Sequence, residues 1–240
     1  MAKKLAQNVR FYYGGYDPGL STTRVEVGLE AEVLDPTAIV DTAERALAGE
    51  RKDAIIYAGL FDDGSDDLDA AQVALLATGT AVASVLIGTV VGNPAYSGTA
   101  YLLSAKPAAS RGELVKMEAT FKPDQAIDKG KLLTAKATFT GLGTGSVSGT
   151  VADGAGSTAG YTWYVHVFSY TGAGTGEVYF ETATGTAFVT AAYQGTINSR
   201  GSYRIPSVSG TSLLLANVRV RGTFFPTSDS MDIAVIYKRG

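Results

Sequence analysis

The part of the chain after residue 127 consists of short β-type segments separated by turns, and it contains no helix signal. β-branched and aromatic residues, which favour strands, fill the segments, while Gly, Ser, Thr, Asn and Asp lie between them. The predicted strands are residues 131–140, 161–170, 177–184, 187–193, 202–205, 213–222 and 231–237, and residues 141–160 are predicted to form a long loop. This spacing is typical of a β-sandwich.

The first half contains one segment with a strict two-residue alternation, at residues 24–33. Five apolar residues occupy one face, and Glu26, Glu30 and Glu32 lie on the other. The alternation predicts a long, half-buried strand that presents three carboxylates on its polar face. A hairpin between this strand and the one predicted at residues 9–14 is the expected pairing.

Two short helices are also predicted in the first half. Asp41 and Glu44 have the spacing of a capping box, which predicts a helix that ends near Gly49. An acidic turn at residues 62–67 is expected to cap a second helix over residues 68–77. Further strands are predicted at residues 54–61 and near residues 81–91, 98–106 and 112–122.

A polar, turn-like stretch at residues 123–131 marks the expected boundary between two domains, residues 1–126 and residues 127–240. The first holds 11 Lys and Arg against 17 Asp and Glu, and the second holds 9 against 6, so their net charges are −6 and +3. Opposite charges suit two domains, or two surfaces that meet. The predicted fold class is mainly β: a β-sandwich or barrel domain with one or two short helices, followed by a second all-β sandwich domain.

Composition excludes several classes of protein. The chain has no Cys, which excludes a disulfide framework, a zinc–thiolate site and a cysteine nucleophile. The N-terminal residues lack an apolar segment and the longest apolar stretch spans only residues 80–91, so we expect neither a signal peptide nor membrane insertion. Only 18% of the residues are charged, which indicates that the core or neighbouring subunits cover much of the surface.

No constellation of residues indicates catalysis. His166 is the only histidine, and it lies in an apolar strand of a chain without a nucleophile elbow or a catalytic Cys. We interpret it as a packed or interface residue. The sequence therefore predicts no catalytic residue, no cofactor and no enzymatic activity.

Three other features have a binding interpretation beside a structural one. Asp62, Asp63, Asp66 and Asp67 are weak candidates for cation ligands, but they lack EF-hand spacing and suit a solvated, helix-capping turn better, so no metal site is predicted. The glycine-rich runs at residues 141–145 and 172–176 lack the following helix that a phosphate-binding loop needs. The aromatic row at residues 161–170 suits a carbohydrate-binding face less well than a sandwich core.

Four short motifs follow one another in residues 8–64. They are Asp35-Pro36-Thr37, Asp41-Thr42-Ala43-Glu44-Arg45, residues 49–52 and Gly59-Leu60-Phe61. Their order resembles that of the major tail tube proteins of long-tailed, non-contractile (siphovirus-type) bacteriophages, which share a strand, a D-x-T motif, a short helix with D-T-A-R, a G-x-K/R turn and a strand that ends in G-x-F/W. This chain departs from the pattern at Pro36, and at Glu44 before Arg45. The second half resembles a sandwich domain that follows the tube domain in some of these proteins, at residues 163–168, 217–220 and 231–237.

The resemblance implies a structural virion protein whose inner-sheet strands join those of neighbouring copies into one barrel around a channel. Rings of six tube domains stack helically around a tape-measure protein, and DNA later passes through the lumen during ejection without specific binding. The implied partners are other copies of the chain, the tape-measure protein, the tail terminator and distal tail proteins; the implied location is the virion tail, assembled in the host cytoplasm. Glu26, Glu30 and Glu32 are the lumen-facing candidates, because negative charge there repels phosphates.

Ring stoichiometry and one alternative function stay open at this point. If only residues 1–126 form a tube domain, six chains make a ring and residues 127–240 decorate its outside. If both halves are tube domains, three chains make a pseudo-six-fold ring. The alternative function, which rests on the aromatic row, is a carbohydrate-binding, adhesin-type β-sandwich virion protein.

Overall fold

The computed structural model describes residues 9–20, 22–34, 47–61, 70–71, 79–140, 146–152, 161–183, 189–206, 217–225 and 229–239. These residues form sixteen strands and a short 3-10 helix at Pro18–Leu20, and residues 70–71 are helical. The strands are β1 (Val9–Tyr13), β2 (Thr22–Gly28), β3 (Ala31–Leu34), β4 (Leu47–Arg51), β5 (Ala54–Leu60), β6 (Ala81–Ile87), β7 (Pro94–Ala108), β8 (Lys116–Pro123), β9 (Asp128–Thr140), β10 (Ser146–Ala152), β11 (Tyr161–Thr171), β12 (Thr175–Ala183), β13 (Val189–Ile197), β14 (Gly201–Pro206), β15 (Asn217–Phe225) and β16 (Ser230–Arg239). The prediction of a mainly β fold is confirmed.

The strands form three antiparallel sheets. The largest has ten strands in the order β14-β11-β16-β9-β7-β8-β5-β2, with β6 paired to β7 and β1 paired to β6. A second sheet has the order β10-β15-β12-β13, and β3 pairs with β4. Strands of both halves of the chain therefore belong to the same large sheet.

The long strand β7 joins the two halves. It pairs with β6 on one edge, and on the other edge it pairs first with β9 and then with β8. Along β7, the ladder with β9 ends at the pair Ser97–Asp128, and the ladder with β8 begins at the pair Ala100–Pro123. The predicted boundary between residues 126 and 127 thus falls inside an almost continuous backbone ladder; the division into two domains remains a proposal.

Strands β1 and β6 form a layer that is buried on both faces. Phe11 and Tyr13 point into one apolar cluster, with Tyr57 and Phe121 on its far side. Tyr12, which points the opposite way, belongs to a second cluster. Alternate side chains of a strand lie on opposite faces, so this layer separates two cores, and its near-continuous apolar sequence follows from that position.

The second half of the chain is a sandwich. Its core lies between the β14-β11-β16-β9 part of the large sheet and the four-stranded sheet. Trp163 on β11 stacks on Phe180 on β12 with ring centroids 4.7 Å apart, and Val165 and Ile233 are fully buried beside them. The β-sandwich predicted for this half is confirmed for its described residues.

Several local predictions need correction. Residues 24–33 do not form one strand, because β2 ends at Gly28, β3 begins at Ala31, and the two lie in different sheets. The hairpin with the preceding strand is wrong as well: β2 pairs with β5, and β1 pairs with β6. The physical reason is that β1 has two apolar faces and takes an interior layer, whereas the polar face of β2 requires solvent.

Two further corrections concern the helix and loop predictions. Residues 47–51 form strand β4, so no helix ends near Gly49; residues 41–46 lie outside the described part of the chain. Residues 146–152 form strand β10, which pairs with β15 inside the segment predicted as a loop. Of the second predicted helix, residues 70–71 are helical and the remainder lies outside the described residues. Within the described residues, no helix has the length and apolar character needed to cross a membrane.

Candidate assembly surface

Four neighbouring strands at one end of the large sheet present an exposed face. They are β2, β5, β8 and residues 101–108 of β7. Their inward side chains, which include Ile55, Tyr57 and Phe121, are fully buried in the first core. The opposite side of these four strands, which we call the open face, has no apolar cluster of described residues packed on it.

The register of the four strands places the outward residues in rows. Glu26, Ile56, Thr120 and Ser104 form one row, as successive partners across the sheet. Arg24, Ala58, Glu118 and Lys106 form the next row. Cross-strand partners share a face of a sheet, so these side chains are neighbours on the open face.

Charges of both signs lie on the open face. The Nη2 group of Arg24 donates to Oε1 of Glu26 at 2.5 Å, and both side chains are about half exposed or more, at 63% and 48%. Glu118, Lys106, Lys116 and Lys122 are also exposed on it. Four cations therefore accompany two carboxylates on this face, and a screened surface pair such as Arg24–Glu26 stabilises the fold little.

Apolar side chains lie among these charges. Ile56, Tyr101 and Leu103 are 42%, 43% and 59% exposed. All three belong to the open face or to the adjoining bulge of β7, between Leu102 and Ser104. An apolar group of this kind beside charges is a feature of surfaces that contact another molecule.

The three lumen-facing candidates occupy different elements. Glu26 lies on the open face in β2, and Glu30 is exposed just beyond its end, where its carbonyl oxygen accepts from the N–H of Lys52 at 2.8 Å. Both glutamates line one depression together with Lys52. Glu32 belongs to β3, and its side chain lies outside the described part of the structure. Their assignment to a channel wall remains a proposal.

The four-stranded region has two edges without a strand partner among the described residues. Strand β2 pairs only with β5. On β7, the ladder with β6 ends at Ala100, and the hydroxyl of Tyr13 donates to the Ala100 carbonyl at 3.3 Å. Residues 103–108 of β7 consequently have one open edge, whose N–H and C=O groups form a template for another strand.

The cations of the open face were not predicted from the sequence. Lys106, Lys116 and Lys122 lie in predicted strands, and the two-residue alternation around them could have assigned all three to an outward face. Arg24 precedes Glu26 by two residues in the alternating segment, but the ion pair between them was not predicted. The surface is therefore of mixed charge rather than purely acidic.

His166 is a core residue, which is one of the two positions expected for it. It is fully buried, and its Nε2 lies 2.9 Å from Oγ of Ser84, which lies 2.8 Å from Oγ of Ser97. Burial lowers the pKa of His166 to about 3, because the charged imidazolium loses its hydration. The imidazole is neutral at physiological pH and links β11 to β6.

The aromatic row is also core. Tyr161, Trp163, Tyr164 and Phe168 are each no more than 3% exposed, and Tyr170 packs against the sandwich cluster. Burial raises the pKa of Tyr170 to about 12, together with its hydrogen bond to the Asp229 carboxylate. Side chains in these positions present no platform to a sugar, so the observation that motivated the carbohydrate-binding alternative is removed.

The remaining candidates provide no binding site within the described residues. The glycine-rich turn at residues 172–174 leads into strand β12 rather than a helix, and the N–H of Gly174 donates to Asp229 at 3.0 Å. Residues 141–145 lie outside the described residues, as do Asp62, Asp63, Asp66 and Asp67. In the part that is described, no group of His, Asp and Glu is arranged to hold a metal ion.

Comparisons with known proteins match this chain to solved structures alone. No known family and no curated protein matches the sequence. A chain from the virion of a native gene transfer agent particle is 17% identical, over 53% of this chain and 98% of its own length, with a TM-score of 0.45. The SPP1 tail tube protein is 12% identical, over 53% and 78%, with a TM-score of 0.44. The SPP1 Dit protein is 11% identical, over 96% and 99%, with a TM-score of 0.39.

Proposed function

We propose that this chain is the structural, non-enzymatic subunit of a phage-type tail tube, which joins side by side into rings that stack around a channel. One observation carries the proposal: in the described part of the chain, a four-stranded sheet region has an exposed face and an open edge on each side. A sheet with two open edges is normally an aggregation hazard. Closure of several copies into a barrel removes both edges.

Strand direction is compatible with such closure. Three antiparallel steps separate β2 from β7 through β5 and β8, so β2 and β7 run in opposite directions. The β2 of one copy therefore lies antiparallel to the β7 of the next when both present the open face to the same side. Each contact is heterologous, and repeated rotation closes it into a ring.

The open face is the side that we assign to the channel. Glu26 and Glu30, with Glu32, supply carboxylates that repel the DNA phosphates. Arg24, Lys106, Lys116 and Lys122 balance this charge, and the exposed Ile56 and Leu103 provide apolar contacts for a protein in the lumen. DNA then passes without specific binding, and the tape-measure protein occupies the same channel before ejection.

The layer order supports six chains per ring. The layers follow in a fixed order from the open face inward: the first core, the β1–β6 layer, the second core, and then β11 with the sandwich. If the open face lines the channel, the second half lies on the outside of the tube and supplies no strands to its wall. This arrangement favours the hexameric ring with an external second half over the trimeric one. The tail terminator and distal tail proteins are the proposed partners at the ends, in a virion tail assembled in the host cytoplasm.

Electron microscopy of the purified protein tests the proposal. We expect rings or tubes in negative stain at high protein concentration, and an averaged cross-section with six subunits around a central channel. A protein that stays monomeric at high concentration and in the presence of its tail partners would overturn the proposed function. A three-fold cross-section would retain the tube and reject the assignment of the second half to its outside.

A further inference from the structure

Glu26 and Lys106 lie on the two opposite open edges of the four-stranded region. Glu26 is in β2 and Lys106 is in β7, and both side chains are exposed on the open face. They are not in the same row, because Glu26 shares its row with Ser104, whereas Lys106 shares its row with Arg24. A carboxylate at one edge and an ammonium group at the other are complementary if a second copy of this chain provides the neighbouring strand.

The β7 edge carries residues that restrict which strand can pair with it. An exposed lysine, here Lys106, is a residue that proteins use to protect an edge from unwanted pairing. The following Pro107 has no N–H, so it limits the hydrogen bonds of any incoming strand and does not distinguish between strands. Two β7 edges brought together would place lysines against each other, and like charges directly opposite destabilise a strand pair. A β2 edge offers a carboxylate at Glu26 instead, so the β7 edge admits β2 in preference to itself.

Charge also selects the register of that pairing. Side chains on one face recur every two residues, so registers that keep the same faces together differ by steps of two residues. In the level register, which continues the existing rows, Arg24 of one copy would lie opposite Lys106 of the next. A shift of two residues places Glu26 opposite Lys106 and Gly28 opposite Ser104. A stagger of this kind is also what barrel closure requires, because strands of a barrel tilt against its axis.

We infer that Glu26 of one copy pairs with Lys106 of the next and thereby fixes the register between β2 and residues 103–108 of β7. The inference rests on the proposed function, since it needs copies that join side by side. Arg24, which holds Glu26 within one chain, keeps the carboxylate aimed along the open face. The occupant of each open edge is thus another copy of the same chain in one defined register.

Charge exchange tests the ion pair. Glu26→Lys and Lys106→Glu should each raise the protein concentration needed for tube formation by about tenfold or more, because like charges then meet at every interface of the ring. The double variant E26K/K106E should lower that concentration again by about threefold or more relative to either single variant; the recovery stays incomplete because the exchanged charges repel Arg24 and Glu118 within each chain. Lys122→Glu, an exposed charge on the same face but in the interior strand β8, should leave it unchanged.

Disulfide cross-linking tests the register directly, since the natural chain has no Cys. Within one chain, positions 26 and 106 are three strand steps apart, about 14 Å at the usual spacing. A disulfide needs Cα atoms within about 7 Å, so the variant with Glu26→Cys and Lys106→Cys can cross-link only between copies. Oxidised tubes should give a ladder of oligomers up to the full ring on a non-reducing gel.

The outcomes separate this inference from the proposed function. Wild-type protein that forms no rings or tubes would overturn both. Normal tubes in both single charge variants would overturn the proposed register and leave the tube intact. The same conclusion would follow if the variant with Arg24→Cys and Lys106→Cys cross-linked between copies and the 26/106 variant did not. Rescue by the double variant together with the 26/106 ladder would establish it.

Discussion

Nε2 of His166 lies 2.9 Å from Oγ of Ser84, across the apolar layer where β11 meets β6. The two residues belong to different halves of the chain, and Ser84 continues the contact to Ser97 on β7. Tyr12 and Phe168 close the site with rings 5.5 and 6.2 Å from the imidazole. Removing or charging one member of such a buried hydrogen-bond network lowers the stability of the fold. The stability of both halves therefore depends on the His166 side chain.

Stability should decrease in mild acid because of His166. Its pKa is lowered from 6.5 to about 3 in the folded protein, so the unfolded chain binds the proton first as the pH falls. The neutral, buried imidazole therefore costs no stability above pH 6.5. Below this pH the free energy of unfolding decreases, by about 2 kcal/mol between pH 6.5 and pH 5. Urea unfolding at pH 7.5, 6.5, 5.5 and 5.0 measures this loss. His166→Gln, which cannot take up a proton, is the control and should have a smaller pH dependence; equal slopes for both proteins would contradict the assignment.

The stacked pair Trp163 and Phe180 should dominate the core of the second half. Both side chains are fully buried, with ring centroids 4.7 Å apart. Phe180→Ala should lower the free energy of unfolding by about 3–5 kcal/mol, because it removes apolar contacts and leaves a cavity. Val90→Ala, at a residue that is 68% exposed, is the control and should change it by less than about 0.5 kcal/mol. Chemical denaturation measures both, and equal effects would place Phe180 outside the packed core.

Asp53 should be important for the chain reversal between β8 and β9. Its Oδ2 accepts the N–H of Ile127 at 2.9 Å and lies 2.7 Å from Nη2 of Arg51, with the Asp53 side chain only 3% exposed. Asp53→Ala should lower the free energy of unfolding by about 2–3 kcal/mol, because a buried N–H loses its acceptor. Asp124→Ala, an exposed carboxylate in the same segment, should have little effect. Hydrogen exchange at Ile127 provides the local measurement: unchanged protection in the Asp53 variant would show that the N–H does not depend on this carboxylate.

The charge of the proposed channel should influence DNA ejection. Virions whose tube subunits carry Glu30→Lys and Glu32→Lys should assemble and eject DNA more slowly, because a basic wall attracts the phosphates. Glu26 is left intact in this variant, since its replacement would also disturb the proposed contact between copies. Ejection followed by a DNA-binding dye, at low and at moderate salt, measures the effect, which should weaken as salt rises. Normal ejection through a basic wall would reject these lumen-facing positions without rejecting the tube.

Much of the strand content was predictable because its signal is local. Strands β9, β11, β12 and β16 lie within a few residues of their predicted positions, since runs of β-branched and aromatic residues bounded by turn residues are evident in the sequence. Strand β10 was missed because Ser146, Ser148 and Gly149 interrupt its β-branched residues, so its pairing with β15 supplies what the local sequence does not indicate. The helix near residue 49 was wrong for a related reason: β4 is defined by its partner β3.

The candidate site was predictable only in part. The alternation of residues 24–33 placed Glu26 on an exposed face correctly. The neighbours of Glu26 on that face, Ile56 and Thr120, are distant in sequence. No local pattern indicates that β5 and β8 lie between β2 and β7, or that Lys106 occupies the opposite edge.

The sequence by itself determined the mainly β class, the absence of cysteine chemistry, a packed or interface position for His166 and the polar face of β2, because composition and two-residue periodicity act within single strands. Only the tertiary structure decided that β1 and β6 form an interior layer, that β7 carries one sheet across both halves, and that β2 and β7 end as open edges on opposite sides of one face. Strand pairing depends on backbone hydrogen bonds between segments far apart in the chain, so the sequence of one segment alone does not indicate which strand it pairs with.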